Sequence, residues 1–156
     1  MVVTNNDPSD FAALPGMFDV VLTDVPCSGE GMFRKDAVAV EEWSADNVQI
    51  CRQRQRRILA DVWTALKPGG LLIYSTCTYN REEDEDNVAW IARELGAEVL
   101  EVPVRPEWNI TGNLTEADFP GVSLFDLIRQ KGGKVSSWLY FARIPKEEKR
   151  KGQEIT

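Results

Sequence analysis

The chain has 156 residues, 43% of them hydrophobic, enough for one ordinary globular core. It carries 25 acidic against 18 basic residues, a formal net charge of −7, which argues against a surface that grips nucleic acid throughout. Histidine is absent, so Cys–His dyads, Ser–His–Asp triads and histidine-bearing metal sites formed by this chain alone are excluded.

Met1-Val2-Val3-Thr4-Asn5-Asn6-Asp7 reads as the tail of a strand running into a loop. Phe18–Thr23 is short, apolar and valine-rich, the pattern of a buried parallel strand, and Pro26-Cys27-Ser28-Gly29 stops it. A helix is predicted over Asp46–Leu66, with Ser44 as N-cap. Its apolar stripe runs through Val48, Cys51, Gln55, Ile58, Leu59, Val62, Trp63 and Leu66, with arginines mostly opposite. Cys51 on that stripe reads as a core thiol. Lys67-Pro68-Gly69-Gly70 ends the helix, and Leu71–Ser75 forms the next strand.

Asn80 and Glu83 have capping-box spacing for a second helix, whose positive first turns the acids Glu82–Asp86 would fill. Val88, Ile91, Ala92 and Leu95 make its buried stripe and Gly96 its end. Glu98–Val104 is expected as a third strand and Arg105–Gly121 as a long loop. Leu124–Ile128 and Ser136–Ile144 follow as a hairpin through Gly132-Gly133, with a charged tail from 146 to 156. Strand-helix-strand-helix-strand with a terminal antiparallel hairpin spells one flank of a doubly wound α/β sheet. No GxGxxG turn occurs, so residues 1–145 read as the second half of a catalytic domain whose glycine-rich cofactor loop lies elsewhere.

Cys27 and Cys77 each end a strand-like run, where open α/β sheets bind their ligands. The three cysteines are odd in number and widely spaced, with no CxxC pair. Neither a disulfide framework nor a zinc site is therefore expected. No secretory leader is read at the start, and no apolar run nears the roughly 18 residues of a membrane span. A cytoplasmic location and no membrane partner are the expectation. The basic clusters at Arg52–Arg57, at Lys131 and Lys134, and at Lys146–Lys151 read first as solvated faces and second as RNA contacts.

Asp24-Val25-Pro26-Cys27-Ser28-Gly29-Glu30-Gly31-Met32-Phe33-Arg34-Lys35-Asp36, with Tyr74-Ser75-Thr76-Cys77-Thr78, resembles the RNA cytosine-5 methyltransferases of the NOL1/NOP2/Sun family, particularly the bacterial ribosomal-RNA branch. Lys67-Pro68-Gly69-Gly70 and Glu82 to Asn87 fit the same pattern, and the resemblance runs from about Asp7 to Ile144. It implies a Rossmann-like fold, S-adenosylmethionine as methyl donor and cytosine in RNA, ribosomal in the branch matched, as acceptor. It also implies Cys77 as nucleophile, Cys27 as the thiol of product release, and Asp24 at the target base or the cofactor. Asp7, Asp24 and Pro26 would lie on the cofactor side. The family often has a proline-histidine before its final strands, and Leu127 to Gly133 contains neither residue.

Two thiols suit that chemistry. A thiolate adding at cytosine C6 makes C5 nucleophilic, and after methylation the C5 proton must leave before the thiolate departs. The base must be single-stranded or flipped out. Alternatives are a DNA cytosine-5 methyltransferase with Cys27 as nucleophile, a non-catalytic RNA-binding or assembly module, and two merely structural thiols. This chain alone is expected to be inactive, and its first strand to expose an edge open to self-association.

Overall fold

The computed structural model describes residues 1–33, 35–101, 105–108, 122–123 and 138–143. The helices are α1 (Ala37–Glu42), α2 (Ala45–Trp63) and α3 (Glu85–Glu94). The strands are β1 (Phe18–Asp24), β2 (Leu66–Thr76), β3 (Glu98–Leu100), β4 (Val122–Ser123) and β5 (Trp138–Arg143). One sheet runs in the order β1-β2-β5-β3, with β4 also on β5. β1 and β2 pair in parallel, with Asp24 opposite Ser75. β5 is antiparallel to both β2 and β3, so β3 points the same way as β2.

The terminal strand is thus inserted between β2 and β3. The expected hairpin partner at 124–128, its Gly132-Gly133 turn and the charged tail lie outside the described residues, as does 102–104 of the third predicted strand. Five other boundaries shift. The opening residues 1–7 form no strand. A 3-10 helix over Pro8–Ala13 and the short α1 are additional elements. Helix α2 ends at Trp63, and β2 begins at Leu66, so Lys67–Gly70 belongs to the strand. Between the pairs Phe18–Leu66 and Val20–Leu71, β1 advances two residues while β2 advances five. The turn-forming residues therefore bulge out of the ladder, with Gly69 at φ +79°. At Gly70 a Cβ would meet Lys67 O at 2.8 Å, so only glycine fits there.

Helix α2 starts as expected, the Ser44 hydroxyl accepting from Asn47 N–H at 3.1 Å. Helix α3 starts at Glu85, five residues after Asn80. Asn80 and Glu83 do engage each other, with Glu83 N–H donating to Asn80 Oδ1 at 2.8 Å, but they close a turn ahead of the helix.

The core is one-sided. Leu59 from α2, Leu66, Leu72 and Tyr74 from β2, Val25 after β1, and Val88 and Ile91 from α3 are buried together. Along β2, Leu72, Tyr74 and Thr76 are buried while Leu71, Ile73 and Ser75 are half-buried. On β1 the expected two-sided burial fails: Val20 is 53% and Leu22 62% exposed. The helices that β1 and β2 need on their other face are not among the described residues.

Candidate active site

The two cysteines meet. Parallel pairing of β1 and β2 carries both chains out at the same end of the sheet. There Cys27 Sγ and Cys77 Sγ stand 2.9 Å apart, both as free thiols and both half-buried. A disulfide would require about 2.05 Å. The loops beyond them are stitched together by Gly31 N–H donating to Cys77 O at 2.8 Å and Val25 N–H to Ser75 O at 3.2 Å. Glu30, almost fully buried, accepts from Tyr79 N–H at 2.6 Å, Asn80 Nδ2 at 3.0 Å and Trp43 Nε1 at 3.1 Å. The glutamate of the Gly29-Glu30-Gly31 run is therefore a strut between the two cysteine loops. Gly29 sits at φ +86°, with open space where a Cβ would stand, so its glycine is required by backbone conformation alone.

Behind the thiols lies a buried polar network. Glu83 is fully buried, and its carboxyl accepts from Gln55 Nε2 and Asn80 Nδ2, each at 2.7 Å, and from Ser28 N–H at 3.0 Å. Gln55 Nε2 also donates to Pro26 O at 3.0 Å. Gln55 Oε1 accepts from Asn87 Nδ2 at 2.7 Å. The Tyr74 hydroxyl donates to the Glu83 carbonyl. Thus α2, β2 and α3 all converge on the two residues flanking Cys27. The sequence carried one signal for this, a glutamine on the apolar stripe of α2. A fully buried glutamine needs partners, and these are they.

Electrostatics separates the thiols. The Cys77 thiol, the Gly29 N–H and the Cys77 N–H all donate to Cys27 Sγ, bringing the Cys27 pKa down to about 7 against burial and the Glu83 charge. Cys77 is pushed up, first by its hydrogen bond to Cys27, then by burial and by the charges of Cys27, Asp24 and Glu83. Cys51 is a buried core thiol on α2, pushed up mainly by burial.

Asp24 ends β1 with an exposed side chain, near enough to Cys77 for its charge to be felt. Among the described residues it is the one charged residue lining a groove of about 430 Å³ whose walls include Asn6, Phe11, Val20, Leu22 and Ile58. Asp7, between the lining residues Asn6 and Pro8, is itself outside the lining and has its carboxylate engaged. It caps the 3-10 helix through Ser9 N–H at 3.1 Å, and Arg57 grips both oxygens, at 3.0 and 3.3 Å. The Arg57 guanidinium holds the Asp7 carboxyl well below the usual carboxylate range. Pro26 is exposed and outside the groove lining, acting through the carbonyl that Gln55 holds. So the fold unites Cys27, Cys77 and Asp24, and leaves Asp7 and Pro26 in supporting positions.

Among the described residues, no helix is long and apolar enough to cross a membrane. The family described as "16S rRNA methyltransferase RsmB/F" matches residues 1–115. The "Ribosomal RNA small subunit methyltransferase F" of Salmonella paratyphi A is 49% identical over 90 residues, 58% of this chain and 19% of that protein. The protein of that name from Shigella flexneri serotype 5b is 46% identical over 93 residues, 60% of this chain and 19% of its own length. The chain thus spans about a fifth of the length of these curated relatives. Among solved structures, NSun6 from Pyrococcus horikoshii with SFG aligns at TM-score 0.69 and 22% identity, over 92% of this chain and 34% of that one. A methyltransferase homolog protein from Pyrococcus horikoshii aligns at TM-score 0.69 and 23% identity, over 91% of this chain and 44% of that one. These likenesses show the shared α/β fold. With the family match extending over both cysteine motifs, the chain belongs to the 16S rRNA methyltransferase RsmB/F family.

Proposed function

We propose that this chain carries the catalytic thiols of an S-adenosylmethionine-dependent methyltransferase acting on C5 of a cytosine in ribosomal RNA. The observation that carries this reading is the pair of free thiols 2.9 Å apart at the ends of two parallel strands, with Asp24 beside them. Cys77 adds to cytosine C6, which makes C5 an enamine-like carbon. Asp24 is assigned to the base at N3, where a proton aids the addition. Cys27 then accepts the C5 proton, letting the Cys77–C6 bond break. A base so treated must be unpaired or flipped out, and the half-exposed rim receives it.

When bound, S-adenosylmethionine supplies the electrophilic methyl group. The groove beside Asp24 fits one side of that cofactor, with apolar walls for a ring and one acid for its cationic end. Asp24, Asn6, Val20 and Leu22 would hold it, while both Asp7 oxygens are already taken by Arg57 and the helix cap. Pro26 contributes by fixing the loop. The other side falls to the remainder of the domain, so the chain alone is inactive. The exposed Val20 and Leu22 support that division, as does the unpaired outer edge of β1 among the described residues. That edge is also a place where two copies of the chain would pair, and a strictly monomeric species in sedimentation would contradict it. RNA grip comes mostly from other segments, because this chain is net acidic.

One observation favours a second reading. Cys27 ionises before Cys77, as a nucleophilic proline-cysteine of the DNA cytosine-5 type would. The family match stands against it. The test is transfer of labelled methyl groups by the full-length protein to small-subunit ribosomal RNA and to DNA. Transfer to RNA that disappears in Cys77→Ala supports the proposal. Transfer to DNA, or full activity in Cys77→Ala, contradicts it.

A further inference from the structure

This chain has no histidine to take the proton from Cys77. The start of a helix would ordinarily help a thiolate form. Helix α3 gives no such help: its first turn holds Glu85 and Asp86, and the buried Glu83 just before it opposes charge on Cys77. Its hydrogen bond to Cys27, its burial and the surrounding negative charges keep the proton on Cys77. Cys27 Sγ stands 2.9 Å away, within reach of that proton. The Gly29 and Cys77 N–H groups, one from each cysteine loop, also favour charge on Cys27. Glu83, Gln55 and Ser28 N–H hold the loop in that form.

We propose that Cys27 is also the base that activates Cys77, through the direct Sγ–Sγ contact and the backbone donors that hold a thiolate at Cys27. The purpose of this relay rests on the methyltransferase reading above. As Cys77 attacks, its S–H bond breaks and the proton moves to Cys27 Sγ. The electron pair left on Cys77 Sγ forms the bond to cytosine C6, and the displaced ring pair is taken up as N3 gains a proton from solvent. Cys27 then releases its proton to solvent, which the half-exposed site allows, and is again a thiolate when the C5 proton must leave. One thiol serves both ends of the cycle.

The test reads thiols and needs no methyl transfer. The protein is treated with limiting iodoacetamide, so that each molecule is hit at most once, between about pH 6 and about pH 10, and the labelled cysteine is mapped. In the wild type, Cys27 labelling should rise with a midpoint near 7, and Cys77 labelling should follow the same midpoint at a lower rate. In Cys27→Ser the Cys77 midpoint should move above the ordinary thiol value of roughly 8.5, with at least about a tenfold loss of rate at neutral pH. Unchanged or faster Cys77 labelling in Cys27→Ser overturns the relay. Gly29→Ala provides a second route, straining the loop without removing a sulfur: the Cys27 midpoint should rise, and an unmoved midpoint counts against the proposal. A normal labelling pattern in a full-length protein that transfers no methyl group to RNA would sink the methyltransferase reading and leave the relay standing.

Discussion

The cysteine rim and the outer face of β1 are built to different standards, although they share a strand. At the rim each loop is fixed several times over, through Glu30, Glu83, Gln55 and backbone bonds, and the polar atoms of the three side chains are paired. On the outer face of β1, Val20 and Leu22 stand in the open beside a groove with a single charged residue. The two thiols are thus held firmly inside this chain, while on the proposed reading the open face is one wall of the cofactor cleft. A catalytic pair needs sub-ångström placement, which a buried network supplies. A wall needs only shape until its opposite side arrives.

The contrast can be broken most sharply at Cys77. In the full-length protein Cys77→Ala should reduce methyl transfer to background while leaving the thermal unfolding of the fold nearly unchanged, as assayed by RNA methylation and circular dichroism. Next in size is Glu83→Ala. It strands two buried donors, the Ser28 N–H and one Gln55 N–H, at roughly 1–3 kcal/mol each, so a loss of at least about 2 kcal/mol is expected in denaturant unfolding. Glu83→Gln keeps the shape and removes the charge, so the titration midpoints of both rim thiols should fall in a labelling profile.

The two faces of the sheet give the third comparison. Leu72 is fully buried, and Leu72→Ala should cost about 2–5 kcal/mol. Leu22→Asp on the open face should stay within about 0.5 kcal/mol in this chain, yet abolish S-adenosylmethionine binding by the full-length protein in calorimetry. A Leu22→Asp protein that binds the cofactor normally would remove this face from the site.

The smallest effect concerns Asp84, almost fully buried, with Oδ2 held by the Thr78 hydroxyl at 3.2 Å and Oδ1 without a partner among the described residues. Burial pushes its pKa well above the ordinary carboxylate value. Its folded pKa being raised, the stability it contributes is full below the unfolded value near 3.9 and is lost as pH climbs toward the folded one. Asp84→Asn should therefore flatten the decline in stability above about pH 4 and leave the protein more stable at neutral pH. A variant with the wild-type pH slope would show that Asp84 does not titrate there.

How much of this was legible in the sequence depends on how local each signal was. β1, α2 with its Ser44 cap, and the meeting of Cys27 with Cys77 followed from strand-end position and helical periodicity. Lys67–Gly70 misled because its turn chemistry is satisfied inside a strand, as a bulge against β1. The insertion of β5 between β2 and β3 is a long-range pairing that no local pattern announces. Asn80 and Glu83 had capping spacing, but Glu83 is drawn into the core by Gln55 and Ser28 N–H, which delays the helix to Glu85. The acids at 82–86 looked like solvated helix-start charges, whereas Glu83, Asp84 and Glu85 are buried. Asp7 was assigned to the cofactor by resemblance, and its partner Arg57 lies 50 residues away.

The most direct measurement of the central claim is a trapping experiment. RNA carrying 5-fluorocytosine at the methylated position is incubated with the full-length protein and S-adenosylmethionine, and the cross-linked peptide is identified. Fluorine cannot leave as the C5 proton does, so the covalent bond between protein and base should persist. The account predicts a stable adduct on Cys77. An adduct on Cys27, or active methyl transfer with no adduct on either thiol, would contradict it.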